Sequence, residues 1–226
     1  MTMTLNEQQA RLEALAREQG ASLFGVADLQ PLLEREPELL SRVPGAHTRA
    51  VVMGVRLNAC VLESIHEAPT PLYAHHYMQV NYLLDRIALA LATTIEGWGH
   101  AALPIPASQV VSNRPLQGHV SHKTLGGAAG LGFIGRSSLL IHPQYGAQVR
   151  YASVLTTLPL KAGQPLKQDC GSCHACQESC PAGAIRESSA AYDLTACHQT
   201  LQTFSRLPFV GHQICGVCVK VCKGRS

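Results

Sequence analysis

Eight of the nine cysteines fall between Cys170 and Cys222. The first four read Cys170-Gly-Ser-Cys173-His-Ala-Cys176-Gln-Glu-Ser-Cys180-Pro181, a C-x2-C-x2-C-x3-C-P run. Three thiolates spaced this closely on a tight loop can wrap three corners of one iron–sulfur cube, and the fourth cysteine of such a run ligates the other cluster. Cys197, then Cys215-Gly-Val-Cys218-Val-Lys-Val-Cys222, repeats the C-x2-C-x3-C half, with its first cysteine moved upstream. The spacing therefore assigns Cys170, Cys173, Cys176 and Cys222 to one [4Fe–4S] cluster. Cys180, Cys197, Cys215 and Cys218 go to a second. Zinc sites usually come as two C-x2-C pairs rather than a triple followed by C-P. A disulfide framework needs an oxidising compartment, and nothing here points to one.

Outside this block the residues able to do chemistry are fewer. Lys123 is the only lysine before residue 161 and directly precedes the small-residue run Gly126-Gly-Ala-Ala-Gly-Leu-Gly-Phe-Ile-Gly135. His122 and Lys123 are candidates for facing a cofactor or an anionic substrate group. Tyr77, beside His75 and His76, is a candidate proton donor. The Gly-rich run reads either as a wall against a flat cofactor or as close backbone packing. It is a weak dinucleotide fingerprint, because no clear strand precedes it and no acidic partner follows at the required spacing. Arg136 is a candidate for holding a carboxamide, phosphate or carboxylate. His142 and Tyr145 lie at a strand end and turn. Cys60 reads as an ordinary buried apolar residue, and His174 and His198 as hydrogen-bond donors to cluster sulfur.

A chain of 226 residues can bury one good core and carry a small appended domain. The N-terminus has no basic region followed by an apolar run, and no stretch approaches the roughly 20 apolar residues of a membrane span. A cytoplasmic chain with reduced thiols and no membrane is expected. Residues 1–160 carry 11 Lys/Arg against 11 Asp/Glu, and residues 161–226 carry seven against four. The excess cations sit with the cysteines, where they offset cluster charge and suit an acidic electron donor.

The elements that must position these groups follow from periodicity. Thr4-Leu-Asn-Glu7 is a capping box opening a helix to about Gln19. Residues 21–26 and 50–55 read as strands, residues 29–40 as a weak helix interrupted at Pro37, and residues 56–70 as loop. Val80, Leu84, Ile87, Leu91 and Ile95 form one apolar stripe of a long helix, Tyr73 to Glu96. Ala101 to Ile105 is a strand, and 107–121 a loop broken by Asn113, Pro115 and Gly118. Ser137 to Ile141 and Gln148 to Thr156 are strands, and Pro159 to Asp169 a linker. Pro181 to Arg186 and Leu194 to Thr203 are expected as short helices.

His122-Lys123, the run Ala129-Gly-Leu-Gly-Phe-Ile-Gly-Arg-Ser-Ser-Leu-Leu-Ile-His-Pro-Gln-Tyr-Gly146 and the eight-cysteine block stand in one order. This arrangement, over about residues 45–222, resembles the epoxyqueuosine reductase family and, more distantly, the reductive dehalogenases. The resemblance implies an α+β chain: a nitroreductase-like α/β cobalamin-binding domain, residues 1–160, then a bacterial ferredoxin-like two-cluster domain, residues 161–226. It implies electrons passing from a ferredoxin or flavodoxin through two [4Fe–4S] clusters to a corrinoid that reduces a small molecule or modified nucleoside. Gly130, Gly132, Phe133, Gly135, Arg136 and Tyr145 would then bind the cofactor. The alternatives are an electron-transfer or corrinoid-handling module without its own substrate, or a flavin-binding reductase. The family's tRNA-modifying members have an Asp in an Asp-Ser-Ala-Pro-like segment that here reads Pro104-Ile-Pro-Ala-Ser-Gln-Val110, without a carboxylate. They also carry a C-terminal helical-repeat domain, and the usual Pro after the last cysteine is here Lys223. These departures imply a short paralogue and make tRNA a doubtful partner.

Overall fold

The computed structural model describes residues 3–113 and 116–224. Pro115, expected as a chain breaker, lies outside them. The protein is a mixed α/β chain. It divides into two compact units, Met1–Val55 with Asn81–Leu131 and Arg150–Leu166, and Arg56–Val80 with Gly132–Val149 and Lys167–Ser226.

The first unit is built on a sheet. Helix α1 (Leu5–Glu18) begins at the expected capping box: the Thr4 side chain accepts from the Glu7 N–H, and the Glu7 carboxylate accepts from the Thr4 N–H. Strands β1 (Leu23–Asp28) and β2 (Arg49–Arg56) pair antiparallel, with Val26 opposite Val51. Between them lie α2 (Gln30–Arg35) and a 3₁₀ turn beginning at Pro37, where the proline ends the helix as expected. The sheet order is β1-β2-β8-β3, with β3 (Ala102–Ile105) antiparallel to β8 (Val149–Thr156).

Six consecutive residues of β2, Ala50 to Val55, are buried, as are six of β8, Tyr151 to Thr156. Burial of successive side chains means that both sheet faces are covered. In the long helix α4 (Pro71–Gly97), Leu84, Ile87, Leu91 and Ile95 of the predicted stripe are fully buried. Each such side chain contributes about 1.5–3 kcal/mol relative to exposure. Helix α5 (His122–Ala128) packs near β1, its Ser121 cap accepting from the Thr124 N–H.

The second unit is poorer in regular structure. The stretch 56–70 contains a helical turn, α3 (Ala59–Glu63), capped by the Asn58 side chain, where the sequence suggested only loop. The loop 107–121 contains a two-residue ribbon, β4 (Ser112–Asn113) with β5 (Leu116–Gln117), in the first unit. Strand β6 (Phe133–Ile134) pairs with β7 (Leu140–Ile141). The strand expected from Ser137 is shortened, because Ser138 turns the chain with φ +55°. Among the cysteines lie α6 (Ala175–Glu178), α7 (Leu194–Phe204) and α8 (Val217–Val221). The helix expected at 181–186 does not form. The short helix comes earlier, inside the cysteine run, and Gly183 with φ +56° lies in the stretch that follows Pro181. No helix among the described residues is long and apolar enough to cross a membrane.

Candidate functional site

All nine cysteines are free thiols. Within the second unit the eight clustered ones sort by mutual influence. Burial, then the charges of Cys222, Cys170 and Cys173, push the Cys176 thiol up to about 11. Cys222 is raised by burial and by Cys170 and Cys173. Cys218 is raised by burial, then by Cys215, Cys197 and Cys180, with a smaller push from Cys176. Cys215 is pushed up to about 11 by burial, Cys197 and Cys180. Cys197 is raised by burial and Cys180.

Two sets of four emerge, and Cys176 with Cys218 joins them. Like charges crowded in a dry site stay protonated unless a cation offsets them, which iron bound by thiolate does. No three His, Cys, Asp or Glu side chains among the described residues converge on a single ion. A cubane does not ask for that, since each thiolate binds its own iron. The donor set therefore fits two cubane clusters.

Local structure holds these loops in place. The Arg136 guanidinium donates to three backbone carbonyls, Gly171 at 2.8 Å, Cys173 at 2.7 Å and Glu187 at 3.0 Å. Where a carboxamide, phosphate or carboxylate was expected, three of its donors brace the first cysteine loop and the Glu187 carbonyl. Gly135 lies against that loop, where a Cβ would come within 3.1 Å of Cys170 Sγ. Gly146, with φ +59°, leaves room for the Cys222 carbonyl, which accepts from the Ala147 N–H at 3.1 Å.

Gly216, with φ +87°, caps α8 where a Cβ would meet the Tyr73 ring at 2.6 Å and Ile65 at 2.7 Å. Tyr192, which sequence reasoning missed, hydrogen-bonds Cys197 through its phenol. No local pattern announces it beyond its place beside Asp193, the N-cap of α7.

The Gly-rich run is mostly packing. A Cβ on Gly130 would meet the Gln164 carbonyl at 2.5 Å, and one on Gly132 would overlap the Ile141 carbonyl. Both glycines face protein backbone, which corrects their expected place in a cofactor wall. Phe133 sits half-buried in β6, paired with Ile141. Tyr145 stacks on His142 with ring centres 4.8 Å apart, and Arg56 lies over its ring at 4.9 Å. Burial lowers the pKa of His142. Tyr77 is half-buried on α4, its ring 6.3 Å from Tyr73. His76 Nε2 accepts from the Asn58 N–H at 3.0 Å.

Cys60 is exposed, not buried as expected. His174 contacts Gln177 Oε1 and His198 contacts Gln213 Oε1 rather than cluster sulfur in their described bonds.

In the first unit His122 is locked. Its Nε2–H donates to the Pro106 carbonyl at 2.9 Å, and its Nδ1 accepts from the Ser153 hydroxyl at 2.9 Å. Burial pushes its pKa down to about 4, with Arg150 adding to the shift. A neutral ring with both nitrogens engaged is a latch, which corrects the expectation of a catalytic role for His122.

Lys123, the next residue, keeps an exposed surface, and the surrounding protein lowers its pKa. The loop after β3 is pinned twice more. Asp85 accepts from the Ala107 N–H at 2.8 Å, and Arg150 donates to the Ala107 carbonyl and to Asn81 Oδ1. Tyr151 lies on the same face of β8 as Ser153 by the two-residue repeat of a strand. Its hydroxyl is buried without a partner among the described residues.

No family model matches this chain. Over 59 residues, 26% of its length, the chain is 51% identical to the epoxyqueuosine reductase of Synechococcus sp. (strain CC9605), and that match takes in 18% of the relative. Over this stretch the chain is similar to the epoxyqueuosine reductases. Its fold is shared with a reductive dehalogenase described in terms of B12-dependent dehalogenation (TM-score 0.73, 22% identity), over 93% of this chain and 30% of that one. It is also shared with an epoxyqueuosine reductase bound to a tRNA-Tyr epoxyqueuosine-modified stem loop (TM-score 0.64, 18% identity), over 97% of this chain and 65% of that one. The chain thus spans less than two thirds of the length of these proteins. The expectation that tRNA is a doubtful partner is overturned by this last neighbour, whose complex holds a tRNA stem loop.

Proposed function

We propose that the chain is an iron–sulfur oxidoreductase that passes single electrons from a ferredoxin- or flavodoxin-type donor through two [4Fe–4S] clusters to a bound corrinoid, reducing a small molecule or a modified nucleoside. The observation that carries this reading is the sorting of eight thiols into two sets of four. The proposed ligands are Cys170, Cys173, Cys176 and Cys222 for one cluster, and Cys180, Cys197, Cys215 and Cys218 for the other. A nitroreductase-like half, residues 1–160, and a ferredoxin-like half, residues 161–226, belong to the same proposal. So does a cytoplasmic setting, which keeps thiols reduced. Because the epoxyqueuosine reductase neighbour holds a tRNA stem loop, a modified nucleoside in tRNA is among the substrates to test.

When bound, the clusters supply single electrons and the corrinoid supplies reducing cobalt. The chain's own residues do the rest. Arg136 holds the first cysteine loop and places a fixed positive charge beside thiolates. The Tyr192 hydroxyl hydrogen-bonds Cys197, favouring its anionic form. Lys123 presents its ammonium, of lowered pKa, to an anionic group, and Lys123 and Tyr77 are the proposed proton sources. His122 fixes the start of α5 through Pro106 and Ser153, and so fixes where Lys123 can reach.

The test is anaerobic cluster loading. The intact chain should hold about eight irons and Cys176→Ser about four, and added hydroxocobalamin should give a paramagnetic cobalt signal on reduction. Zinc in place of iron, or far fewer irons, would overturn the cluster assignment. Cobalt that is neither bound nor reduced would overturn the corrinoid role.

A further inference from the structure

Phe209 is 91% exposed, and its backbone is in the left-handed region at φ +62°. Both features cost free energy, since a bulky L-residue rarely adopts that conformation and a bare aromatic ring gains nothing from water. The ring stands in the loop between α7, which carries Cys197, and Cys215, whose backbone leads into α8. Beside it Leu207 is 36% exposed, and Arg206, Pro208 and His212 are exposed. Val210 is buried, so the loop is anchored while the neighbouring ring points outward.

In sequence, the charged side chains of this segment have one sign. From Leu194 to Ser226 the sequence contains Arg206, Lys220, Lys223 and Arg225 and not one carboxylate. Lys220 and Lys223 meet Glu63, which leaves Arg206 as the cation nearest the ring in sequence.

We infer that the 206–213 loop is the docking surface for a small acidic one-electron carrier, with Phe209 as its apolar anchor and Arg206 as the cation at its rim. This rests on the proposed clusters. An exposed aromatic with an exposed arginine three residues before it, in a stretch without acidic side chains, suits a partner face on which carboxylates surround a shallow apolar patch. Cys215 follows this loop by two residues and Cys197 precedes it by nine, on α7, so the loop joins two of the second cysteine set along the chain. In the step it serves, one electron leaves the carrier's reduced cluster and enters the oxidised cluster of this chain, with no bond made or broken.

The experiment uses the iron-loaded chain and a strongly acidic ferredoxin as probe. Equilibrium binding of the oxidised ferredoxin and reduction by the reduced ferredoxin are measured separately. Phe209→Ala should weaken binding by about tenfold, as loss of an aromatic anchor does, and should slow reduction by ferredoxin while leaving reduction by dithionite unchanged. Arg206→Glu should weaken binding further at low salt and flatten its salt dependence. Native binding and native ferredoxin-driven rates in both variants would overturn the inference. So would binding of a tRNA stem loop that weakens in Phe209→Ala while ferredoxin binding holds, since that assigns the ring to stacking on bases. Failure of the native chain to take up iron would sink the proposed function instead, and the ferredoxin binding arm would still report on the loop.

Discussion

His122 shows how a residue with catalytic credentials can be spent on structure. Neutral histidine has one donor and one acceptor nitrogen, and Pro106 and Ser153 take both. With a pKa pushed down to about 4 against about 6.5 for a free ring, the folded state resists protonation more than the unfolded state does. Its contribution is therefore complete above about pH 6.5 and is lost as pH falls toward 4, by roughly 3 kcal/mol at most. His122→Gln should unfold at lower temperature at pH 7.5 and lose less stability than the native chain between pH 7.5 and 5.5. An equal loss in both proteins would show that the ring titrates freely. Lys123 is the contrasting case: Lys123→Ala should fold as the native chain does, and full turnover in it would remove that residue from the proposed site. The gathering of the cysteines was legible because thiols two or three residues apart stay neighbours in the fold. Arg136 was not, because its three acceptors are main-chain carbonyls 35 to 51 residues away, and carbonyls leave no mark in sequence.

At the scale of elements, what was legible was what is local. The capping box, the stripe of α4 and the β-branched run of β2 are determined by neighbours within a few residues, and all three appear near the expected bounds. The short helix expected after Pro181 fails where tertiary needs override pattern, since the chain there follows the cysteine loops. The Gly-rich run was ambiguous for a related reason. Small residues permit close approach without saying what approaches, and for Gly130 and Gly132 it is Gln164 and Ile141. The turn between β7 and β8 offers a direct test. Gly146 has φ +59°, and a Cβ there would overlap the carbonyl of Cys222. Gly146→Ala should displace Cys222 and lower iron from about eight to about four per chain. Gly99→Ala serves as control: Gly99 has φ +85° with nothing near its Cβ position, so the backbone strain is similar but no ligand moves. Equal iron in the two variants would show that Cys222 holds no iron.

For the whole molecule, the first unit and the cysteine block of the second rest on different sources of stability. The first has a sheet with buried strands and the fully buried Leu84, Ile87, Leu91 and Ile95 of α4. Among the described residues from 167 to 224, the buried apolar side chains are only Cys176, Ala184, Ile185, Val210, Ile214 and Val217. So few apolar groups cannot offset the ordering of some sixty residues at about 1–2 kcal/mol of backbone entropy each. In the proposed reading the thiolate–iron bonds make up the difference, as they do in small metal domains whose binding free energy is their folding free energy. Chelating the iron under reducing conditions should then strip amide protection from residues 167–224 while leaving β1, β2, β8 and the second half of α4 protected in hydrogen exchange. Restoring iron should restore protection in the same segment, and protection that never changes on chelation would mean that side-chain packing alone holds the cysteine block.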